Sequence, residues 1–145
     1  MKGLIQRVKS ASVNVDDLPV ASIETGILLL LGIEKDDDIL HVEKMARKVF
    51  NYRIFSDVDG KMNKSLSDVN GELLVVSQFT LVADTTKGNR PGFSKGASPA
   101  HGESIYQAFI EHVSQQYREC QTGVFGADMA VSLVNDGPVT FWVET

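Results

Sequence analysis

The sequence predicts an α/β fold in which two main helices cover a curved, mostly antiparallel, barrel-like sheet. Three observations predict it: near-alternating apolar residues in the first third of the chain, one uninterrupted apolar run, and two amphipathic segments. The length of 145 residues suits one domain spanning residues 1–145. A domain of this size buries roughly two thirds of its unfolded surface, so it needs no disulfide or metal for stability.

The first third of the chain reads as strands joined by tight turns. Leu4 to Val15 alternates apolar and polar residues, and Asp16-Asp17 then offers a turn into residues 19–24. Thr25-Gly26 offers a second turn. The run Ile27 to Leu31 has no polar interruption, which is typical of a strand that is covered on both faces.

The first predicted helix follows three aspartates, at residues 36–38, that can cap its free backbone N–H groups. Apolar residues then recur at three- and four-residue spacing from Ile39 to Phe50, which predicts about four turns with one buried face. The opposite face carries a run of charges, which we interpret as solvated: Glu43, Lys44, Arg47 and Lys48.

The remaining elements are assigned from shorter patterns. A second helix is predicted around residues 105–117, and residues 84–100 are expected to form a long loop, a feature that is usually functional. The segments expected to be strands are 53–55, 73–79, 122–125, 130–135 and 139–143, with turns at 57–60 and 136–138 and a loop at 63–71.

Composition and charge limit the functional classes. The net charge of −5 argues against indiscriminate binding along nucleic-acid backbones, although one RNA end could still dock through a local basic patch. Cys120 is the only cysteine, so no internal disulfide can form, and the N-terminus lacks the apolar core of a signal peptide. We therefore expect a cytoplasmic protein. The longest apolar run is far too short to cross a membrane.

No metal or cofactor is expected. The three histidines, His41, His101 and His112, are far apart in sequence, and no HxxxH or CxxC spacing occurs. Asp57 to Gly60 resembles the start of a calcium loop but lacks the later ligands, so it reads as a turn. Neither a phosphate-binding GxGxxG or Walker sequence nor the GxSxG of many esterases is present.

Polar residues at the end of the second apolar strand are the first candidates for a site. Ser77, Gln78 and Thr80 surround Phe79, and strand alternation would place Ser77 and Phe79 on one face and Gln78 and Thr80 on the other. Gln78 and nearby backbone N–H groups could polarise a carbonyl. The alternative is that these side chains only satisfy backbone groups at the strand end.

The long loop is the second candidate. It combines Lys87, Arg90 and Lys95 with two glycines and Phe93. Cations pair with phosphates and aromatic rings stack on bases, so the loop could contact an RNA end. An ordinary solvated loop has the same composition, and this reading remains open.

Two segments together resemble the signature motifs of a known family. Ser-Gln-Phe-Thr-Leu at 77–81 and Asn-Asp-Gly-Pro-Val-Thr at 135–140 are similar to the motifs of the D-aminoacyl-tRNA deacylases. The resemblance extends along the whole chain, through the opening Met-Lys-Gly-Leu-Ile-Gln-Arg-Val, the Gly-Asn-Arg-Pro-Gly-Phe loop and residues 122–129. Taken alone, Gly137-Pro138 would read as an ordinary turn between two strands.

The resemblance implies a fold, an activity and a set of site residues. It implies hydrolysis of the ester in D-aminoacyl-tRNA, and in glycyl-tRNA mischarged on the alanine tRNA, by a homodimer without a cofactor. Gly137-Pro138 would form a cis peptide that enters the partner's active site and rejects L-aminoacyl esters. The terminal adenosine and aminoacyl group would be held by residues 77–80, with Phe125 and Met129 near the same cleft.

Two mechanisms are compatible with these residues. Thr80 could attack the ester, but a threonine hydroxyl is a weak nucleophile without a base, and no histidine is adjacent in sequence. We favour assistance by the free ribose 2′-hydroxyl of the substrate, with backbone N–H groups of Phe79 and Thr80 stabilising the oxyanion. A non-catalytic nucleic-acid-binding module that uses the same cleft is the main rival.

Overall fold

The computed structural model describes all 145 residues and confirms a curved α/β architecture, with a mixed sheet that nearly closes into a barrel. The eight strands are β1 (Lys2–Val15), β2 (Leu18–Ile23), β3 (Gly26–Gly32), β4 (Phe55–Ser56), β5 (Met62–Lys64), β6 (Glu72–Ser77), β7 (Gln121–Thr122) and β8 (Ala130–Glu144). The helices are α1 (Ile39–Asn51), α2 (Leu66–Val69) and α3 (Pro99–Gln116), with a 3-10 turn at Phe79–Val82.

Strand β1 organises the main sheet because it pairs along its whole length on both sides. Its first half pairs antiparallel with β3, and its second half pairs antiparallel with β2. The Asp16-Asp17 turn between β1 and β2 was predicted correctly, and both residues have the positive φ angles that a tight hairpin needs. On the other edge of β1 lies β8, while β6 and β7 continue the sheet beyond β3 in parallel.

The two faces of the sheet bury different side chains. Alternation along β3 places Ile27 and Leu29 in a cluster of 22 buried residues under α1 and α3, and Leu28 in a cluster of eight on the opposite face. The prediction that this strand is buried on both faces is confirmed. The curved sheet therefore has a helical layer outside and a small apolar core inside.

Helix α1 matches its prediction in position and in the face that it buries. Asp38 caps it by accepting hydrogen bonds from the backbone N–H groups of Leu40 and His41. The residues of α1 that face the core are Val42, Met45, Ala46, Val49 and Phe50. None of the helices of the chain combines the length and apolarity that a membrane span requires.

Four short predictions were wrong. The strand expected at 53–55 lies at 55–56, and that at 122–125 is reduced to 121–122. The loop expected at 63–71 contains the end of β5 and helix α2, because Ser65 and Asp68 form a reciprocal capping box. The strand expected at 73–79 ends at Ser77, and the 3-10 turn begins at Phe79.

The turn expected at Asp136 to Pro138 is also wrong, because the chain does not reverse direction there. Both halves of β8 pair antiparallel with β1, from Asn14↔Ala130 to Lys2↔Glu144. The register shifts twice near Val8, so residues 136–139 form an irregularity within one strand. A Gly-Pro sequence favours a turn, but the pairing of both flanks with β1 keeps the chain running in one direction.

Candidate active site

The main cavity, of about 550 Å³, opens where β3 and β6 end. The 3-10 turn, the start of α3 and the segment 125–131 close its sides. Its lining is mostly apolar with a few polar groups, as expected for a small-molecule site. The lining residues are Leu31, Ile33, Val76, Ser77, Gln78, Phe79, Ala97, Ser98, Pro99, Gly102, Phe125, Gly126, Ala127, Asp128, Met129 and Val131.

The predicted polar segment reaches this cavity in a different geometry from the one expected. The Gln78 backbone N–H donates to Leu31 O at 2.8 Å, and the chain then leaves the sheet. Leu81 N–H donates back to Gln78 O at 3.2 Å, which closes the 3-10 turn. Ser77, Gln78 and Phe79 consequently all line the cavity, and the expected alternation of faces beyond Gln78 is wrong.

A glycine makes this departure from the sheet possible. A Cβ added to Gly32 would lie 3.0 Å from Leu81 Cβ and 3.1 Å from both Gln78 O and Val82 Cγ1. The 3-10 turn therefore packs directly on the Gly32 backbone at the end of β3. A larger residue there would push residues 78–82 away from the cavity.

Thr80 is adjacent to the cavity but has no base beside it. Its exposed hydroxyl oxygen accepts a hydrogen bond from Gln78 Nε2 at 2.5 Å. His101 does not line the cavity, and its Nε2 donates to the backbone oxygen of Asp37 at 3.0 Å. The surroundings of Thr80 therefore provide no histidine to remove its proton.

Two backbone N–H groups at the cavity are free. The N–H groups of Phe79 and Thr80 start the 3-10 turn, where no earlier turn supplies acceptors. Neither donates a hydrogen bond to any backbone or side-chain oxygen of the chain. These adjacent donors can hydrogen-bond a carbonyl oxygen that gains negative charge.

The groups that pack behind Phe125 are neutral. Phe125 packs against Tyr106, with ring centroids 5.6 Å apart, and the Tyr106 hydroxyl donates to Val75 O at 3.0 Å. Burial raises the pKa of Tyr106 above its usual value, and burial raises the pKa of the Cys120 thiol to about 11. Cys120 is therefore a protonated thiol at neutral pH and a poor nucleophile.

Sequence reasoning missed several lining residues. Ser98, Pro99 and Gly102 form the first turn of α3, and Asp128 is the only ionisable side chain of the lining. Gly102 carried a usable signal, because glycine is unfavourable inside a helix. A Cβ there would lie 3.4 Å from Phe125 Cζ, in ordinary van der Waals contact, so the first turn of α3 packs closely on that ring.

The predicted RNA-contact loop borders the mouth of the cavity. The backbones of Asp84 and Gly92 exchange two hydrogen bonds of 2.7 and 2.9 Å, which close the loop whose exposed tip carries Lys87 and Arg90. Beyond this closure, Phe93 packs against Phe79 with ring centroids 5.2 Å apart. Lys95 is also exposed.

Gly137-Pro138 lies away from this cavity. The peptide bond is cis, as the family resemblance implied, and both residues are exposed. Neither residue lines the cavity of its own chain. Within a single chain, the two signature motifs are therefore not brought together.

Arg7 and Asn135 fix the backbone that flanks this exposed segment. Its Nε lies 3.1 Å from both the backbone oxygen and the carboxylate of Asp136, and its Nη1 donates to Ile54 O at 2.6 Å. Asn135 Oδ1 accepts the Val139 backbone N–H at 3.0 Å. Arg7 itself is buried, so these contacts hold the segment rigidly on β1.

Comparison with known proteins identifies the family. The family model described as D-Tyr-tRNA(Tyr) deacylase matches residues 4–144. The chain belongs to the D-Tyr-tRNA(Tyr) deacylase family. Curated relatives named D-aminoacyl-tRNA deacylase come from Shewanella frigidimarina, at 60% identity, and Alteromonas mediterranea, at 58%, each over 141 residues and 97% of both chains. Hydrolysis of D-aminoacyl-tRNA is therefore the activity of this chain.

A solved structure confirms the deacylase fold. The structure of a protein named c-Myc DNA Unwinding Element Binding Protein superposes with a TM-score of 0.96 at 42% sequence identity. The alignment covers 100% of this chain and 99% of that one. The matched region includes the segments of this chain that form the 3-10 turn, the cavity and the irregular β8.

Proposed function

We propose that this deacylase is a chiral proofreading enzyme whose selectivity comes from a second copy of the chain. It cleaves D-aminoacyl-tRNA, and glycyl-tRNA mischarged on the alanine tRNA, in the cytoplasm. Gly137-Pro138 of one protomer enters the cavity of the partner and blocks the position of an L side chain. The supporting observation is that this segment is braced by Arg7 and exposed, yet lies outside its own chain's cavity.

Strand β8 supports the homodimer. It pairs only with β1, so the other edge of this 15-residue strand has no strand partner. Large apolar side chains are also exposed on it, including Val134 at 53% and Trp142 at 46%. A long apolar edge strand usually requires a cover, and a second copy that covers it would bring Gly137-Pro138 to another protomer.

Selectivity against L-aminoacyl esters needs a rigid obstacle. Rejecting the abundant L substrate ten-thousand-fold requires about 5.5 kcal/mol. A soft apolar pocket that differs by one methylene provides only about 1–3 kcal/mol. A fixed backbone segment facing the substrate Cα acts by steric clash, and it admits hydrogen (glycine) or a D side chain.

The cavity residues have separate roles in this proposal. Ser77, Gln78 and Phe79 hold the terminal adenosine and the ester, while Phe125 and Met129 form the apolar wall beside them. The loop residues Lys87, Arg90 and Lys95 contact phosphates next to the 3′ end. Phe79 and Phe93 together offer aromatic faces for a base at the cavity mouth.

The chemical step uses the substrate's own ribose. The 2′-hydroxyl orients and helps deprotonate a water, whose oxygen attacks the ester carbonyl carbon. The free N–H groups of Phe79 and Thr80 stabilise the resulting oxyanion. The bond between the carbonyl carbon and the ribose 3′ oxygen then breaks, and the 3′ oxygen takes up the proton.

Separate replacement of Thr80, the alternative nucleophile, and of Asp128, the one ionisable side chain of the cavity lining, tests this mechanism. Thr80→Ala and Asp128→Asn are each expected to keep kcat within roughly tenfold of wild type, less than a positioned general base usually contributes. The same wild-type enzyme should lose at least about 100-fold on tRNA that ends in 2′-deoxyadenosine. Single-turnover deacylation measures all three. An acyl-Thr80 adduct detected by mass spectrometry would overturn the mechanism.

The decisive experiment for the function compares D-Tyr-tRNA with L-Tyr-tRNA under identical conditions. Rapid release of D-Tyr with negligible release of L-Tyr is expected. A second candidate is a non-catalytic nucleic-acid-binding module, favoured by the DNA-binding name of the 42% identical protein. Binding of duplex DNA without hydrolysis of either ester would support that candidate and refute the proofreading function.

A further inference from the structure

A cluster of positive charge lies outside the cavity and its loop. Six of the 14 Lys and Arg side chains fall between residues 44 and 64, against two carboxylates, in a chain whose net charge is −5. All six are exposed, and none forms an ion pair. We call this set the basic strip: Lys44, Arg47, Lys48, Arg53, Lys61 and Lys64.

Three contacts show that the middle of the strip follows β8 toward Gly137-Pro138. Lys48 Nζ donates to Glu144 O, and the Tyr52 ring packs edge-on against Phe141 with centroids 5.4 Å apart. Ile54, which follows Arg53, is linked to Asp136 through Arg7, which donates to the backbone oxygens of both residues. The strip therefore accompanies β8 from Glu144 to Asp136, a stretch that lies opposite Lys2 to Val8 of β1 and spans about 20 Å at the usual rise of a strand.

Two of the carboxylates near the strip are occupied by other groups. Asp57 accepts hydrogen bonds from Asn63 Nδ2 and from the backbone N–H groups of Asp59 and Lys61. Asp68 accepts from Ser65, and that bonding, helped by the fields of Arg53 and Lys64, lowers the pKa of Asp68. These anions reduce the field of the strip, but they do not bind its cationic groups directly.

We propose that the basic strip binds the phosphates of the RNA duplex adjoining the 3′ end that occupies the partner's cavity. The inference rests on the proposed function, in which Gly137-Pro138 enters that cavity. The basic strip then starts beside the bound 3′ end and leads away from Gly137-Pro138. Its length of about 20 Å exceeds the reach of one nucleotide, so its ligand is the body of the substrate.

The experiment compares a full substrate with a truncated one. In the triple variant Arg47→Gln/Arg53→Gln/Lys61→Gln, kcat/KM on D-Tyr-tRNA is expected to fall at least tenfold, mainly through KM. On a D-tyrosylated CCA trinucleotide it should stay within twofold of wild type. The salt dependence of log kcat/KM on tRNA should become shallower by roughly one unit for each phosphate that the variant no longer binds.

A matched control separates local contacts from net charge. Gln107→Glu/Gln115→Glu/Gln116→Glu changes the net charge by the same amount on exposed positions of α3, none of which belongs to the strip, and should leave both substrates unaffected. Unchanged kcat/KM on tRNA, equal losses on both substrates, or an equal loss in the control would overturn the inference. A wild-type enzyme that cleaves neither D-ester would instead refute the proposed function, and the inference with it.

Discussion

Gly137→Ala is expected to reduce discrimination between D- and L-Tyr-tRNA by at least about 100-fold, equivalent to about 2.7 kcal/mol. The φ angle of Gly137 is +130°, which L side chains rarely adopt. An added Cβ would lie 2.7 Å from Val139 Cγ2 and 3.1 Å from Val139 N, so the segment must move. Displacing a positioning group by about 1 Å can cost 100-fold in rate. Parallel D- and L-ester assays measure the ratio.

Gly60→Ala is the control for backbone strain alone. Gly60 also has a positive φ, of +76°, but an added Cβ would have no neighbour within 4 Å, and Gly60 lies in the β4–β5 hairpin. This variant should lose some stability and keep its selectivity. Wild-type selectivity in Gly137→Ala would contradict the proposed role of the segment.

Mixing two impaired variants tests whether the segment acts on the partner. Ala127→Trp is expected to fill the cavity while leaving Gly137-Pro138 intact. After subunit exchange, a mixed dimer contains one site in which the open cavity comes from the Gly137→Ala protomer. The unaltered Gly137-Pro138 at that site comes from the Ala127→Trp protomer. Up to half of the mixed dimers' sites should then cleave D-Tyr-tRNA selectively. A monomer in sedimentation, or no recovery of selectivity after confirmed exchange, would contradict action across subunits.

Arg7→Met is expected to lower both stability and selectivity. The change leaves Ile54 O without its donor in a buried position and removes the partner of Asp136, which together should cost about 2–3 kcal/mol of unfolding free energy. The freed segment should also discriminate less between D- and L-esters. Urea unfolding and the two ester assays give the two quantities, and Arg7→Lys should be intermediate because it keeps charge without the planar fork.

Arg118→Met provides a comparison with the same chemical change elsewhere. Arg118 also donates to backbone oxygens, those of Asn70 and Gly71, at the end of α2. It should destabilise the protein without changing the D-to-L ratio. If Arg118→Met alters selectivity as much as Arg7→Met does, the effect of Arg7 is a general loss of stability.

Periodic patterns predicted the long elements because burial alone determines them. The apolar residues of α1 and the uninterrupted run in β3 have only one arrangement that buries them. Short elements failed where a local contact decides the structure: the Ser65–Asp68 capping box produced α2, and packing on Gly32 turned residues 79–82 out of the sheet. The packing on Gly32 joins residues that are distant in sequence, whereas the capping box is a local signal that the polar composition of residues 63–71 obscured.

The candidate site was only partly predictable for a related reason. The motif containing Gln78 and Phe79 was found from sequence and does line the cavity. The brace provided by Arg7 was not, because a cation in a strand reads as a surface residue until its neighbours are known. The helical part of the basic strip, Lys44, Arg47 and Lys48, was judged a solvated face for the same reason, since its relation to β8 appears only through Tyr52 and Lys48.

The location of Gly137-Pro138 within a single strand has a consequence for accuracy at high temperature. A selector, meaning a segment that rejects L-aminoacyl esters, would begin to admit wrong substrates well before the protein melts if it lay on a mobile lid. Here both flanks belong to the ladder of β1, so the selector can loosen only if the central sheet opens. Warming should therefore leave the error frequency nearly constant until catalysis disappears with the fold itself.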